Sequence, residues 1–375
     1  MARIYFDHAA TTPPDPAVVE TMLLALRELP GNPSSIHEEG RRARAAVEQA
    51  RKQIAHALHA SIGEIFFTSG GTEANNMALK RAAFDLGIRR FVSARTEHHC
   101  VLHTLSAMER DLGTETVFVR QYPDGHIDLN DLEEILQQGP PTLVSLMHAN
   151  NEIGTLSDLA SLSALCRRYG ALFHTDTVQT IGYYPLDLSQ LSVDFLSGSA
   201  HKFHGPKGVG FLYINQANRL RPFIDGGSQE RNMRGGTENV HSILGMAKAL
   251  ELALAEREKR EAQIRAVRDA LALRLKNVFP EVVFNGDPFG KGHYKILSAA
   301  FPPSAKAELL LLNLDIAGVA VSGGSACSSG ADAGSHVLDA LAKDSPRKTL
   351  RFSFSHHNTV EEVDYLIGKL VEILR

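Results

Sequence analysis

A lysine and an aspartate upstream of it are the first residues of this sequence that suggest chemistry. Lys202 lies in the run 199–206 (SAHKFHGP), between a hydroxyl, imidazoles and a Gly-Pro turn. A lysine in this setting suits an imine with an aldehyde cofactor, and Asp176, which ends an apolar run, suits the partner of a pyridinium nitrogen. Taken singly, they are more simply a surface lysine and a strand-end cap. Together with the groups below, they predict a cofactor site.

A glycine turn in the run 67–76 (FTSGGTEANN) predicts a place for an anion. Gly71 lets a ligand approach the backbone closely, and Thr72 offers a hydroxyl beside the amide hydrogens of a helix N-terminus, which suits a phosphate. A threonine-capped helix without a ligand is the alternative. The run 231–239 (RNMRGGTEN) is a second Gly-Thr helix entry, so Thr237 is another group able to contact phosphate.

Histidines follow a predicted strand in the run 96–100 (TEHHC). A histidine here could stack on a planar cofactor and later carry a proton. His99 and His103 are four residues apart, so a zinc pair with Cys100 is conceivable. Histidines that cap or line a helix are the commoner case, and no further ligand is placed convincingly nearby. We therefore predict no metal site.

Amide and guanidinium groups supply further candidates for binding. Asn151 lies in a turn after a buried strand, and Gln179 is three residues beyond Asp176. Asn151 could hydrogen-bond a phenolic oxygen or a substrate carboxylate, and the alternative is an asparagine that only forms the turn. Arg351 is a lone cation in an apolar run, where a bidentate grip on a substrate carboxylate and a structural ion pair are both open.

The three cysteines differ in their surroundings. Cys327 lies in the run 321–334 (VSGGSACSSGADAG), among small residues and without a large apolar neighbour. Such a loop suits a thiolate nucleophile that must travel. Cys166 has the pattern of a helix core, and Cys100 is ambiguous. We interpret Cys327 as the catalytic thiol.

Apolar runs that suit buried strands alternate with amphipathic helical segments over the first two thirds of the chain. This alternation predicts an α/β fold with a largely parallel sheet, whose ligands gather at the carboxyl ends of the strands. The predicted helices include 37–58, 72–86, 129–136 and 156–169. The predicted strands are 64–68, 90–94, 116–120, 142–147, 171–175, 193–197 and 208–214.

The length of 375 residues favours two domains. A long charged helix pattern covers 251–276, and shorter elements follow it. We expect a large α/β domain at 16–255. A smaller α+β domain at 1–15 and 256–375 would carry the mobile cysteine loop. The first 15 residues are too rich in turn formers for a regular element.

Composition excludes several classes of protein. The formal net charge of −4 argues against binding to nucleic acid through a basic face. No apolar run approaches the roughly 18 residues of a membrane span. The N-terminus lacks the pattern of a signal peptide. Three scattered cysteines make no disulfide framework, which favours reduced thiols and a cytoplasmic protein.

Six short motifs, read in order, resemble one family over nearly the whole chain. They are 7–12 (DHAATT), 31–35 (GNPSS), 150–154 (NNEIG), 199–202 (SAHK), 325–327 (SAC) and 351–353 (RFS). They resemble the pyridoxal 5'-phosphate-dependent cysteine desulfurases, in the class-V aminotransferase group of fold type I. The sequence departs from the usual pattern at His99 and Ala200, and neither change removes a group that the chemistry needs.

The resemblance implies a role for each candidate residue. Lys202 would hold the aldehyde, Asp176 the ring nitrogen, and His98 would stack on the ring and act in catalysis. Arg351, assisted by Asn151 and Asn32, would bind the substrate carboxylate. Gln179 and Asn151 would contact the ring oxygen or the substrate. The phosphate would bind Gly71, Thr72, Ser199, His201 and, from across a dimer interface, Thr237.

The reaction that the resemblance implies converts L-cysteine to L-alanine. The Cys327 thiolate would attack the substrate sulfur and keep it as a persulfide, for transfer to an iron–sulfur scaffold or another sulfur acceptor. The protein would be a homodimer. Selenocysteine lysis or another class-V aminotransferase reaction is the alternative within the family. A non-catalytic binding partner in sulfur assembly is the alternative outside enzymes.

Overall fold

A seven-stranded sheet forms the centre of the molecule. The computed structural model describes residues 3–323, 334–341 and 346–374. The order of the strands is β2-β8-β7-β6-β5-β3-β4, and all neighbours are parallel except those of β8. The predicted α/β fold with a mainly parallel sheet is confirmed, and each predicted strand ends within two residues of the observed one. The strands are β2 (Ile65–Thr68), β3 (Arg90–Ser93), β4 (Glu115–Phe118), β5 (Thr142–Ser145), β6 (Leu172–Asp176), β7 (Phe195–Ser199) and β8 (Gly210–Ile214).

Helices cover both faces of this sheet. Neighbouring strand residues point to opposite faces, so Phe195 packs in a cluster with α3 and α4 while Leu196 packs in the other with α2, α6 and α8. The helices are α1 (Pro16–Glu28), α2 (Glu38–Ala57), α3 (Gly71–Asp85), α4 (His99–Leu112), α5 (Leu129–Gln137), α6 (Leu159–Arg168), α7 (Gln229–Asn232), α8 (Val240–Ala255), α9 (Arg257–Val278), α10 (Ala305–Glu308), α11 (Leu310–Ile316), α12 (His336–Ala340) and α13 (Val360–Leu374).

The charged pattern at 251–276 is divided between two helices, where we expected one long element. The chain leaves the helical conformation at Glu256 (φ −107°, ψ 9°). Helix α8 packs against α1 and α2, whereas α9 packs against α13. The chain must therefore change direction between them, although the local propensity favours a continuous helix.

A second, antiparallel sheet follows the long helices. Its order is β12-β10-β9, from the strands Lys348–Ser353, Ile296–Phe301 and Val283–Asn285. A separate parallel pair joins β1 (Ile4–Tyr5) to β11 (Val319–Ala320). The N-terminal segment thus contains a short strand, contrary to our expectation, because β11 supplies its hydrogen-bonding partner. The division into domains at residues 15 and 255 stays a prediction.

Two further predictions concern helices. Cys166 is 1% exposed inside α6, which confirms it as a core residue. Among the described residues, no helix combines the length and the apolar character that crossing a lipid bilayer requires.

Candidate active site

A cleft opens at the carboxyl ends of the central strands, where parallel α/β sheets place their ligands. Strand β6 ends at Asp176 and β7 ends at Ser199, while β3 and β5 run into the segments that carry His98 and Asn151. Ten of the thirteen site residues that the sequence predicted line this cleft. They are Gly71, Thr72, His98, Asn151, Asp176, Gln179, Ser199, His201, Lys202 and Arg351.

Lys202 reaches across the cleft to the N-terminal segment. A single turn of 3-10 helix, Ala200–Lys202, follows β7 and turns the lysine into the cleft. The ammonium Nζ donates to the carbonyl oxygens of Ala9 at 2.6 Å and Ala10 at 2.8 Å. These carbonyls hold the amine in the cleft, which Asp176 also lines.

Asp176 is 8% exposed and is oriented from two directions. Its Oδ2 accepts from Asn75 Nδ2 at 2.6 Å, and its Oδ1 accepts from the Val178 amide at 2.9 Å. Asn75 is fully buried in α3, and its Oδ1 lies 3.1 Å from His174 Nε2. The sequence analysis missed Asn75, although its place one turn after Gly71 makes it face the same cleft.

His98 is the N-cap of α4. Its Nδ1 accepts from the Cys100 amide at 3.1 Å and lies 3.0 Å from Cys100 Sγ. Burial lowers the pKa of His98, against the opposing effect of Asp176. Burial also raises the pKa of the Cys100 thiol to about 12, so Cys100 is a thiol at neutral pH. Its Sγ also accepts a hydrogen bond from Asn75 Nδ2 at 3.2 Å, and Cys100 lines the cleft.

One end of the cleft suits an anion. Helix α3 begins at Gly71, and a Cβ built on Gly71 would lie 2.6 Å from Val178 Cγ2, so no larger residue fits without movement. Ser199, His201 and Lys207 line the same end beside Gly71 and Thr72. Amide hydrogens, hydroxyls and a lysine around a helix N-terminus form a phosphate-binding arrangement. The sequence analysis did not single out Lys207.

Arg351 lies at the other end and is 1% exposed. Its Nη2 donates to Asp7 Oδ1 at 2.8 Å and its Nη1 donates to the Asn151 carbonyl at 2.9 Å. Its Nε has no hydrogen-bond partner within the described chain. Both open alternatives therefore hold in part: Arg351 has a structural ion pair with Asp7, a partner that the sequence analysis missed, and it still faces the cleft.

Three predicted site residues are not among those that line the cleft. Thr237 and Asn32 are exposed, and Asn32 Oδ1 accepts from the Ser34 amide at 2.9 Å. Cys327 lies outside the described residues. His99 and His103 stack with ring centroids 5.1 Å apart on α4, while Cys100 turns toward Asn75. Because the Cys100 thiol is directed toward Asn75, the structure does not favour the zinc site of His99, His103 and Cys100 that we had weighed.

Comparison with known proteins agrees with this cleft. The family model for aminotransferase class-V matches residues 4–366. Cysteine desulfurase IscS of Dictyoglomus turgidum is 43% identical over 377 residues, which cover 99% of this chain and 94% of the relative. This chain belongs to the cysteine desulfurases of the class-V aminotransferase family. Cysteine desulfurase IscS of Salmonella paratyphi B is 41% identical and covers 97% of the chain and 91% of the relative.

Solved structures of this family share the fold. A NifS-like protein superimposes with a TM-score of 0.92 at 38% identity, covering 99% of both chains. A structure described as SspA in complex with cysteine superimposes with a TM-score of 0.81 at 30% identity, covering 95% of this chain and 100% of the other. The predicted family and fold class are thus confirmed.

The cleft fits the cofactor on which this family depends, pyridoxal phosphate. The fit rests on a lysine and a buried carboxylate that line one cleft, and on an anion site beside Gly71. It rests also on Gln179 Oε1, a buried acceptor that has no hydrogen-bond partner in the described chain. A protonated group of a bound cofactor or substrate would satisfy such an orphaned acceptor.

Proposed function

We propose that this chain converts L-cysteine to L-alanine in the cleft and stores the sulfur as a persulfide on Cys327. The observation that carries the proposal is the joint placement of Lys202, Asp176 and Arg351 around one cleft. The structure described as SspA in complex with cysteine, which shares this fold, supports the choice of substrate. An amine-reactive lysine, a ring-nitrogen partner and a carboxylate-binding arginine are the groups that amino-acid chemistry on a pyridoxal cofactor requires.

Binding of the cofactor would use residues at both ends of the floor. Gly71, Thr72, Ser199 and His201 would hold the phosphate, Asp176 the ring nitrogen, and Gln179 and Asn151 the ring oxygen or substrate. When bound, pyridoxal phosphate supplies an aldehyde for amine condensation and a ring that withdraws electrons from the substrate Cα. Asp176 would keep the ring nitrogen protonated, and Asn75 would fix the orientation of Asp176.

Proton transfer would fall to Lys202 and His98. Lys202 Nζ, as the neutral amine, would take the Cα proton, and the Ala9 and Ala10 carbonyls would accept from the ammonium that forms. His98 would stack on the ring. Its lowered pKa keeps its imidazole neutral near pH 7 and able to accept a proton.

The substrate carboxylate would bind Arg351. The unpartnered Nε and the fixed guanidinium plane suit a planar anion. Asp7 and the Asn151 carbonyl orient this plane, so they act as positioning groups. Asn151 would add an amide contact, and Asn32 is proposed to assist from beyond the lining of the cleft.

Cys327 would attack the substrate sulfur. The described residues on either side of it contact neighbours of the cleft residues: Ser322 Oγ donates to Asp7 Oδ1 at 2.8 Å, and Ser335 Oγ donates to Glu152 Oε2 at 2.5 Å. Asp7 binds Arg351, and Glu152 follows Asn151 in the chain. Both ends of the cysteine segment are therefore attached at the rim of the site, which supports delivery of the Cys327 thiolate there.

The sulfur acceptor and the partner subunit belong to the same proposal. The persulfide would pass to an acceptor protein such as an iron–sulfur scaffold in the cytoplasm. A homodimer would place Thr237 of one subunit at the phosphate of the other. Ile36 is 91% exposed, in the turn that follows Asn32, and α1 exposes Leu24 and Leu26. Exposed apolar side chains of this size support an interface on this side of the molecule.

The test is incubation of the purified protein, reconstituted with cofactor, with L-cysteine. We expect alanine in solution and a sulfur-modified peptide that contains Cys327, and Cys327→Ala should lose both. Alanine formation that survives Cys327→Ala would contradict the proposed role of Cys327. Transamination should survive this substitution, and competition between L-cysteine and L-selenocysteine would reveal selenocysteine lysis.

A further inference from the structure

A cluster of histidines lies outside the cleft, beside the segment that follows Lys202. His204, His356 and His357 come together with their ligand atoms all within 4.8 Å of one another. Asp15, which precedes α1, faces the same point, with Oδ1 at 3.6 Å from His356 Nε2 and 3.4 Å from His357 Nε2. We propose that His204, His356, His357 and Asp15 form a binding site for a divalent zinc ion.

The ring of His204 has the orientation that a metal ligand needs. Its Nδ1 lies 2.9 Å from the Pro13 carbonyl oxygen, which only accepts, so Nδ1 carries the proton. Its Nε2 is then a lone-pair donor. Ligating histidines usually donate their other ring N–H to a carbonyl or carboxylate in this way. His204 also has a φ of 65°, a left-handed conformation that a residue other than glycine rarely adopts.

Two buried atoms at the centre of the cluster have no hydrogen-bond partner in the described chain, and they are His204 Nε2 and Asp15 Oδ1. His204 is 2% exposed and Asp15 is 4% exposed. An unpartnered acceptor costs about 1–3 kcal/mol when it is buried. A cation that binds both atoms would satisfy them. The buried, unpartnered Nε2 of His204 is thus an observation, beside the clustering itself, that indicates a ligand.

The chemistry of the donor set selects the metal. Imidazole nitrogens with one carboxylate oxygen suit zinc in tetrahedral geometry, with bonds of about 2.0–2.2 Å. Such bonds place ligand atoms about 3.3 Å apart, so the cluster must contract when the ion binds.

The surroundings fix most of the ligands. Arg260 Nη2 donates to the other Asp15 oxygen, Oδ2, at 2.8 Å, which leaves Oδ1 directed at the histidines. The turn that carries His356 and His357 is closed by the Asn358 side chain, whose Oδ1 accepts from the Ser355 amide at 2.9 Å. Only His357, which is about half exposed, is on the open side. The positive charge of Arg260 weakens cation binding, so we expect a moderate affinity rather than a permanently bound ion.

The site would join three distant parts of the chain. Asp15 precedes α1, His204 follows the Lys202 turn, and the histidine pair lies between β12 and α13. A zinc ion here would bind the N-terminal segment and the C-terminal turn to the segment that positions Lys202. Its role would be structural, because the donor set has four protein ligands and leaves no open coordination position.

The test uses the untagged full-length protein, loaded with pyridoxal phosphate, and zinc chloride alone as the probe. Equilibrium dialysis with metal analysis should give one zinc ion per chain. The double substitution His356→Gln with His357→Gln should weaken this binding by more than about 100-fold, since even loss of an outer-sphere partner costs 10–100-fold. The matched control is His99→Gln with His103→Gln, the stacked pair on α4, which should keep the zinc.

X-ray absorption distinguishes this site from zinc held by a thiolate. We expect nitrogen and oxygen ligands at about 2.0–2.2 Å and no sulfur at about 2.3 Å, in the parent protein and in Cys327→Ser alike. The unfolding temperature should rise with zinc in the parent protein and not in the double variant. Absence of bound zinc, or equal binding by the parent and the cluster variant, would overturn the proposal.

Discussion

The cleft and the histidine cluster contain two buried histidines with opposite hydrogen bonding. His174, behind the cleft, has both ring nitrogens satisfied: Nδ1 lies 2.8 Å from Ser145 Oγ and Nε2 lies 3.1 Å from Asn75 Oδ1. His204, in the cluster, has only Nδ1 satisfied. In this pair, the imidazole that supports the cleft has both nitrogens bonded within the protein, whereas the imidazole proposed to meet an ion has one nitrogen open.

The largest effect should follow from Lys202→Ala. Alanine production should fall by about 10⁴-fold, the upper end of what a positioned acid–base group contributes, because the amine that binds the aldehyde and moves the proton is lost. The variant should still bind zinc at the histidine cluster. The rate of alanine release measures the loss of activity, and zinc dialysis of the same preparation measures the retained zinc binding.

Lys295→Met is the matched control for that substitution. Lys295 is fully buried and donates to the Lys202 carbonyl at 2.9 Å, and burial lowers its pKa well below the usual value. The Lys295→Met variant should keep the absorbance of bound cofactor. If Lys295→Met lost the absorbance and Lys202→Ala kept it, the assignment of the two lysines would be reversed.

Asp176→Asn should have the next largest effect. The amide holds the same shape but no negative charge, so the ring nitrogen loses its proton and the rate should fall by about 10²- to 10³-fold. Asp194→Asn is the control, because Asp194 is also a strand-associated aspartate, whose Oδ2 accepts from the Phe173 amide at 2.8 Å. Steady-state kinetics compares the two variants, and equal activity of Asp176→Asn and Asp194→Asn would refute the role of Asp176.

Asn75→Ala should have a smaller effect on the same network. It removes a hydrogen bond to a charged carboxylate, worth about 1.5–3 kcal/mol, so activity should fall by about 10- to 100-fold. Asn76→Ala is the matched control, because Asn76 Nδ2 only donates to the Thr72 carbonyl of its own helix at 3.0 Å. Equal activity of the two variants would show that Asn75 does not position Asp176.

Acid should destabilise the protein through histidines such as His174. Burial lowers the pKa of His174 from 6.5 to about 3, so between these values the unfolded chain binds a proton that the folded chain does not. Stability from this group is therefore present above pH 6.5 and is lost as the pH falls toward 3. Replacing His174 with Gln should reduce the slope of unfolding free energy against pH by up to about 1.4 kcal/mol per unit in that window.

Urea unfolding at a series of pH values checks this prediction, with His56→Gln, at an exposed position of α2, as the control. An unchanged slope in His174→Gln, with the fold intact at pH 7, would contradict it.

Sequence reasoning located the cleft but not the cluster, for a physical reason. Most groups of the cleft follow a predicted strand, and the topology of a parallel sheet brings those ends together, so Asp176, Ser199 and His98 could be associated from local patterns. Asp15, His204 and His356 follow no shared element, and only tertiary packing joins them. The adjacent pair at 356 and 357 was the one signal in the sequence.

The same reasoning explains the smaller errors. Asn75 was missed because a buried polar residue inside a helix resembles an exposed one in sequence. The break at Glu256 was missed because it depends on which helices α8 and α9 contact. The paired strand at Ile4 depends on β11, more than 300 residues away in the chain.

Borohydride reduction of the reconstituted protein, followed by peptide mapping, is the sharpest test of Lys202 as the residue that binds the cofactor aldehyde. We expect a single reduced pyridoxyl group on the peptide that contains Lys202, with Lys295 unmodified. A label on Lys295, or no label on any lysine while the protein still releases alanine from L-cysteine, would contradict it.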